Sequence, residues 1–272
     1  MKTIRQEFRK SQFNFKYDKP QDFAVWAWQI DREKISGYFI FYRFVTAAFF
    51  LSVLVANGSI STTPTYFFIY LTNLGFIIQT LHLVVSIAIP IELVLQKANN
   101  EAADGFKWTL LDRFSWFLYN VTNLLSIAIS VIYWFALFTP GSGLSAMNFL
   151  VHGFNSIMSI CDILVSGRPC RLMHFYHPLV VILAYIAFSS IYWAAGGVNS
   201  NGNSYIYPVL DWDNLGLTVP FVTIGLFIAL PVVHTLLWSL HKLRDYLLRS
   251  RIKRKFMAKS VTDGQDNPVY EL

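Results

Sequence analysis

The sequence predicts an all-α, polytopic membrane protein, a bundle of six transmembrane helices with both termini in the cytosol. Three observations predict it. Of the 272 residues, 54% are hydrophobic and 14% charged, a composition that excludes most soluble globules. Six stretches, 37–57, 65–96, 114–138, 146–167, 177–198 and 214–241, are long and largely uncharged, and each reaches the roughly 20 residues of a helical span. The basic residues fall on alternate sides: eight in 1–36, three in 97–113, two in 168–176 and eight from Lys242 onward, with none in 58–64, 139–145 or 199–213. Such a bias puts the basic side in the cytosol. The net charge of +6 follows from that bias and suits anionic inner-leaflet lipids, so nucleic acid is not expected as a partner.

Taken in order, residues 1–36 form a cytosolic N-terminal segment carrying Phe13, Phe15, Tyr17, Phe23, Trp26 and Trp28 among its charges. Such aromatics suit the headgroup layer, and a loosely ordered tail is the alternative. The first apolar run follows about 35 polar residues, which predicts an uncleaved first span rather than a signal peptide. That span holds Arg43 and ends at Asn57-Gly58-Ser59, a glycosylation sequon on the outer side that abuts the helix.

Span two carries Thr72, Gly75, Gln79, His82 and Ser86, and span four carries His152, Asn155, Ser159, Asp162 and Ser166. Both sets repeat at three, four, three and four residues, which puts each on one helical face. Polar faces inside a membrane turn toward neighbouring helices. Arg43 and Asp162 lie at similar depth above the cytosolic boundary, and an unpaired charge there is costly, so they are expected to form a buried structural ion pair. Asn120 and Asn123 of span three belong to the same layer.

Thr72 and His152 share a second depth, about 10 Å inside the outer boundary by the helix rise. A threonine hydroxyl becomes a nucleophile when a base such as histidine takes its proton. The neighbouring Asn73 and Asn155 amides could steady an oxyanion. The other reading of the same residues is interhelical hydrogen bonding without chemistry.

Span five opens with His177-Pro178, a proline at the first turn. The outer connection 199–213 is rich in turn formers and then gives Tyr205, Tyr207-Pro208 and Trp212, aromatics suited to the interface. No histidines or cysteines stand at a recognisable ligand spacing, so neither a metal nor a cofactor is expected. Cys161 and Cys170 face the cytosolic side, where a disulfide does not form, and Cys170 reads as a palmitoylation position or a free thiol. The tail, 242–272, opens with a dense basic cluster and ends in Asn-Pro-Val-Tyr-Glu-Leu. Asn267, Pro268 and Tyr270 make a turn motif of the kind that cytosolic adaptors bind.

The run Tyr70-Leu71-Thr72-Asn73-Leu74-Gly75-Phe76, then Gln79, His152-Gly153-Phe154-Asn155, Asp162, His177-Pro178, Tyr185, Tyr192-Trp193 and Tyr207-Pro208 resembles the Rolling stone family. The similarity runs from about Trp28 through span six. It implies a multi-pass membrane protein with a role in cell–cell fusion during muscle formation. More distantly, Tyr-Leu-Thr in span two, the following Gln, His-Gly in span four, His-Pro and the Tyr-Pro before span six are similar to the androgen-induced six-span lipid hydrolases. That resemblance implies a threonine hydrolase of fatty-acid esters of hydroxy fatty acids, with Thr72 as nucleophile and His152 as its base.

Two functions are therefore expected from different classes: a fusion or membrane-remodelling factor, and an intramembrane lipid ester hydrolase. The plasma membrane or the endoplasmic reticulum is the expected location. A channel or transporter is disfavoured, because the polar faces bring no ring of charges, filter sequence or inverted repeat.

Overall fold

The computed structural model describes the backbone of residues 4–99, 105–138 and 145–263, and side chains as far as Arg251. Six helices are long and apolar enough to cross a membrane: α1, Gly37–Ser59; α2, Leu71–Ala98; α3, Leu110–Leu137; α4, Ala146–Val165; α5, Leu172–Ala194; and α6, Leu215–Arg251. Many large apolar side chains on their outer faces are bare, Phe41, Phe135 and Phe227 among them. Bare apolar faces on this scale are what lipid covers. The chain is an integral, multi-pass membrane protein.

Helix ends differ from the expected ones where local chemistry overrides hydropathy. Span three starts four residues early, at Leu110, because Thr109 and Asp112 form a reciprocal capping box. Span two starts late: 64–69 is a 3-10 turn, and the α-helix begins at Leu71. Span six does not stop at 241. Its helix runs on to Asp263, since good helix formers with no glycine or proline follow Pro231 as far as there. The basic segment after Lys242 therefore begins as helix rather than as a separate tail. The motif at Asn267, Pro268 and Tyr270 lies outside the described residues.

The central element is α3. It packs against α2, α4, α5 and α6, while α1 packs on α2. Leu124, Trp116 and Tyr119 of α3 join Ile89 and Leu93 of α2, Ile163 of α4 and Leu230 and Leu237 of α6 in the main core. A second core joins Ala47, Phe50 and Val53 to Phe76, Leu83, Val151 and Met158.

The N-terminal segment packs against the bundle rather than trailing loosely. Phe23 and Ala24 belong to the main core, and Val25 and Ala27 are buried too. The Ala27 N–H donates to the Val165 carbonyl at 2.7 Å, and the Gly167 N–H donates to the Val25 carbonyl at 3.0 Å. A Cβ at Gly167 would stand 2.7 Å from the Asp22 carbonyl oxygen, so this crossing admits only glycine. The Phe15 ring stacks on His177 at 4.7 Å, and Arg171 binds the carbonyls of Asn14 and Lys16 at 2.6 and 2.7 Å. Residues 13–27 thus make a cap over the basic end of the bundle. Only some aromatics, such as Phe13 and Trp28, stay exposed.

Candidate active site

Two cavities lie toward the end of the bundle opposite that cap. The first, about 200 Å³, runs between α3, α5 and α6 and is walled almost wholly by carbon, including Leu125, Ile129, Ile182, Phe221 and Leu226. The second, about 220 Å³, is lined by Asn57, Tyr70, Thr72, Asn73, Asn148, His152 and Tyr207, with Met147 and Val151. Thr72, Tyr133, Leu137 and Tyr207 border both. Each is smaller than the roughly 300–1,000 Å³ of common ligand pockets.

Thr72 owes its position to the start of α2. Tyr70 has extended backbone and caps the helix, so Thr72 stands in the first turn, where amide N–H groups lack intrahelical acceptors. Tyr207 supplies one: the Thr72 N–H donates to its phenol oxygen at 3.4 Å, and the Thr72 hydroxyl lies 3.5 Å from the same oxygen. The connection between α5 and α6 is held over this turn by the Tyr70 and Ser200 hydroxyls, 2.8 Å apart. Tyr185 donates to the Ile69 carbonyl at 2.9 Å from α5. Burial raises the Tyr207 phenol above its ordinary pKa, so it is a protonated donor at neutral pH.

His152 stands in a π turn, 150–154, in α4. Its ring lies flat on Tyr133, centroids 3.5 Å apart and planes 16° from parallel. Its Nδ1 meets the Asn148 carbonyl at 3.1 Å. A carbonyl only accepts, so Nδ1 carries the proton and Nε2 holds the lone pair that a base needs. Tyr133 opens another π turn, 133–137, and Gly225, Leu226 and Ala229 of a third, 225–229, wall the apolar cavity. Single π turns inside α-helices gather at functional sites.

The structure brings Thr72 and His152 to one cavity, but no direct hydrogen bond joins them, and Tyr207 is the hydroxyl's described side-chain partner. The expected helpers are placed differently. Asn73 donates to the Phe67 carbonyl at 2.8 Å and accepts from Asn57 at 3.1 Å, so its amide is occupied in tying α1 to the start of α2. Asn155, one turn from His152, does not reach the cavity. Its oxygen takes the Ser156 N–H at 2.7 Å and the Ser130 hydroxyl at 3.2 Å, between α4 and α3. Asn155 is not placed to serve an oxyanion at Thr72, Asn73 lines the cavity with one of its N–H groups committed to Phe67, and the Tyr207 hydroxyl stands at Thr72 itself.

Comparison with known proteins decides the family. The family model described as Protein rolling stone matches residues 1–256. Protein rolling stone of Drosophila melanogaster is 31% identical over 267 residues, covering 92% of each chain. The chain belongs to the Rolling stone family. No solved structure matches it.

In this Rolling stone chain the polar faces of α2 and α4 meet rung by rung below the cavities. Gln79 donates to the Asn155 carbonyl at 3.2 Å and accepts from Ser126 of α3 at 2.8 Å. One rung further, Arg43 donates to Asp162, and both are buried. The other Asp162 oxygen lies 3.4 Å from His82 Nε2, and Arg168 Nη1 lies 3.3 Å from that nitrogen. The Arg43 guanidinium also sits 4.8 Å from the Phe39 ring centre, and that of Arg168 5.5 Å from Tyr119. Burial, with Arg43 nearby, lowers the Arg168 pKa to about 10, still charged at neutral pH. Asn120 does not join this hydrogen-bond network; its side chain donates to His177 Nδ1 at 3.1 Å beneath the cap.

Tyr207, Tyr133 and Asn148 were not among the candidate site residues. The Tyr-Pro pair was the single signal for Tyr207, and an aromatic near a helix end otherwise reads as interfacial. Nothing in the sequence marks Tyr133 as the partner of His152. At the sequon, the Asn57 amide is spent on Asn73 and faces the polar cavity. Cys170 is a half-buried free thiol, and burial pushes its pKa up to about 12.

Proposed function

We propose that this Rolling stone family member is an intramembrane lipid ester hydrolase with Thr72 as nucleophile and His152 as general base. The observation that carries the reading is the shared cavity: the Thr72 hydroxyl and a His152 ring tied through Nδ1 border one polar space that adjoins an apolar one. Thr72 attacks the ester carbonyl, and His152 Nε2 takes its proton. The Tyr207 phenol donates to the developing oxyanion, a role it can fill without moving far from Thr72. The substrate bridges the gap between Thr72 and His152, as catalytic hydrogen bonds commonly tighten only in the loaded site.

The test is hydrolysis of a panel of lipid esters by purified protein in detergent, with Thr72→Ala and His152→Ala beside the wild type. Each variant is expected to lose at least about 100-fold, since positioned proton transfer contributes roughly that much. Wild-type activity that both variants retain would sink the assignment.

Family membership favours a second reading, a factor that supports myoblast fusion or membrane remodelling through lipids and partners. The two are compatible, because turnover of lipid esters alters the membranes that fuse. In this reading the termini face the cytosol of a plasma-membrane protein. The basic end contacts anionic inner-leaflet lipids, and the tail at Tyr270 recruits an adaptor.

A further inference from the structure

We propose that the ester cleaved at Thr72 is a monoacyl ester of a small polyhydroxy alcohol, of the monoacylglycerol class, rather than a fatty-acid ester of a hydroxy fatty acid. This rests on the hydrolase reading and names its substrate.

The argument is one of two unlike arms. A reacting carbonyl has to sit at Thr72, on the border of both cavities, so the two sides of the ester diverge from there. The arm between α3, α5 and α6 offers almost no hydrogen-bonding group beyond the tyrosines at its edge. It takes an acyl chain and penalises hydroxyl groups, which would be buried without partners. The other arm presents Asn57, Tyr70, Asn73 and Asn148. The Asn148 side-chain amide makes no hydrogen bond within the protein among the described residues, so a hydroxylated ligand gains a partner there that costs the protein none. A second long hydrocarbon chain placed in that arm would strand the same amide.

The base fixes which side of the ester goes where. His152 borders the polar cavity and not the apolar one. In acyl transfer, His152 Nε2 takes the Thr72 proton as the Oγ–carbon bond forms. It then returns that proton to the alcohol oxygen as the ester carbon–oxygen bond breaks. The leaving alcohol must therefore depart on the His152 side, which is the polar arm, while the acyl chain stays on Thr72 in the apolar arm. Water entering where the alcohol left gives its proton to His152 as it attacks the acyl carbon, and His152 returns that proton to Thr72 Oγ as the Oγ–acyl bond breaks, which releases the fatty acid and free Thr72. Esters of hydroxy fatty acids have a long chain on the alcohol side as well, and that chain meets the asparagine amides among the carbon of this arm, where the first arm offers almost none.

The experiment uses the full chain purified in detergent. It compares kcat/KM for 1-oleoylglycerol with that for the oleic ester of 9-hydroxystearic acid, for wild type, Thr72→Ala, Thr72→Ser and Asn148→Leu. A hydrogen-bonding arm should discriminate strongly, so a preference of at least about tenfold for the glycerol ester is expected. Thr72→Ala should abolish the activity, Thr72→Ser should keep part of it, and Asn148→Leu should move the ratio toward one through KM for the glycerol ester. Thr72-dependent cleavage with equal preference, or preference for the hydroxystearate ester, overturns the substrate class and leaves the hydrolase reading standing. Cleavage of neither ester above a membrane control, by folded protein, overturns both. An unchanged ratio in Asn148→Leu overturns the assignment of the polar arm to the alcohol.

Discussion

Arg43 shows how one residue in the membrane is made tolerable. It is fully buried, gives one hydrogen bond to Asp162, and rests its guanidinium against Phe39 and Tyr42. Asp162 in turn faces His82 and, through it, Arg168. Removing one member of such a pair leaves the other charged and unmatched. Arg43→Leu or Asp162→Leu should each cost about 3–5 kcal/mol, whereas the double variant should cost clearly less than the two together. Thermal unfolding in detergent reads this directly, and strictly additive losses would mean the two side chains do not act as a pair. The depth argument from helix rise predicts this pairing from numbering alone, because charge and rise are local properties. Tyr207 escapes the same logic. Its contact with Thr72 depends on how the connection between α5 and α6 folds back, which no periodicity encodes.

Among the elements, the cap is the one the sequence describes least well. Composition suggests aromatics at a lipid surface, and hydropathy cannot tell a lipid surface from a protein one. The backbone crossing of 25–27 with 165–167 makes the difference, and its geometry turns on Gly167. Gly167→Ala should lower stability by about 1–3 kcal/mol, the usual cost of forcing atoms into a packed site, because the atoms in the way include backbone carbonyls. A melting temperature equal to that of the wild type would mean the crossing yields easily. The six helices themselves are legible, since length and apolarity are summed over some twenty residues. Their ends are not, because the capping box at Thr109 and the 3-10 turn before Leu71 are decided by one or two side chains. The polar faces of α2 and α4 mark those two helices most strongly, yet α3 is the hub: every residue from Leu118 to Ser126 is buried, polar and apolar alike, so it is covered all round and shows no single face.

For the whole molecule, the two ends of the bundle have different duties. One end gathers Arg168, Arg171 and Arg244 with the N-terminal cap, all fastened by hydrogen bonds to backbone carbonyls or by contact with buried rings. The other end holds the cavities. The orientation proposed from the positive-inside rule puts the cap toward the cytosol and the candidate site toward the outer leaflet. Epitope tags at either terminus should be stained only after cells are permeabilised, and a tag inserted at Asn201 should be stained on intact cells. Terminal tags visible on intact cells would reverse the assignment and place the site toward the cytosol.

The three π turns carry a consequence for how such a protein changes over generations. A π turn is an α-helix with one surplus residue, absorbed locally so that the helix on either side keeps its phase. In α4 the surplus falls in 150–154, the turn that carries His152, ahead of the part that meets Gln79 and Arg43. It sets where the imidazole stands without turning the polar face that follows. The cavity wall is therefore written in insertion lengths as much as in residue identities. A chain that kept Thr72 and His152 but lost one residue between 150 and 154 would aim the imidazole away from the space it now borders.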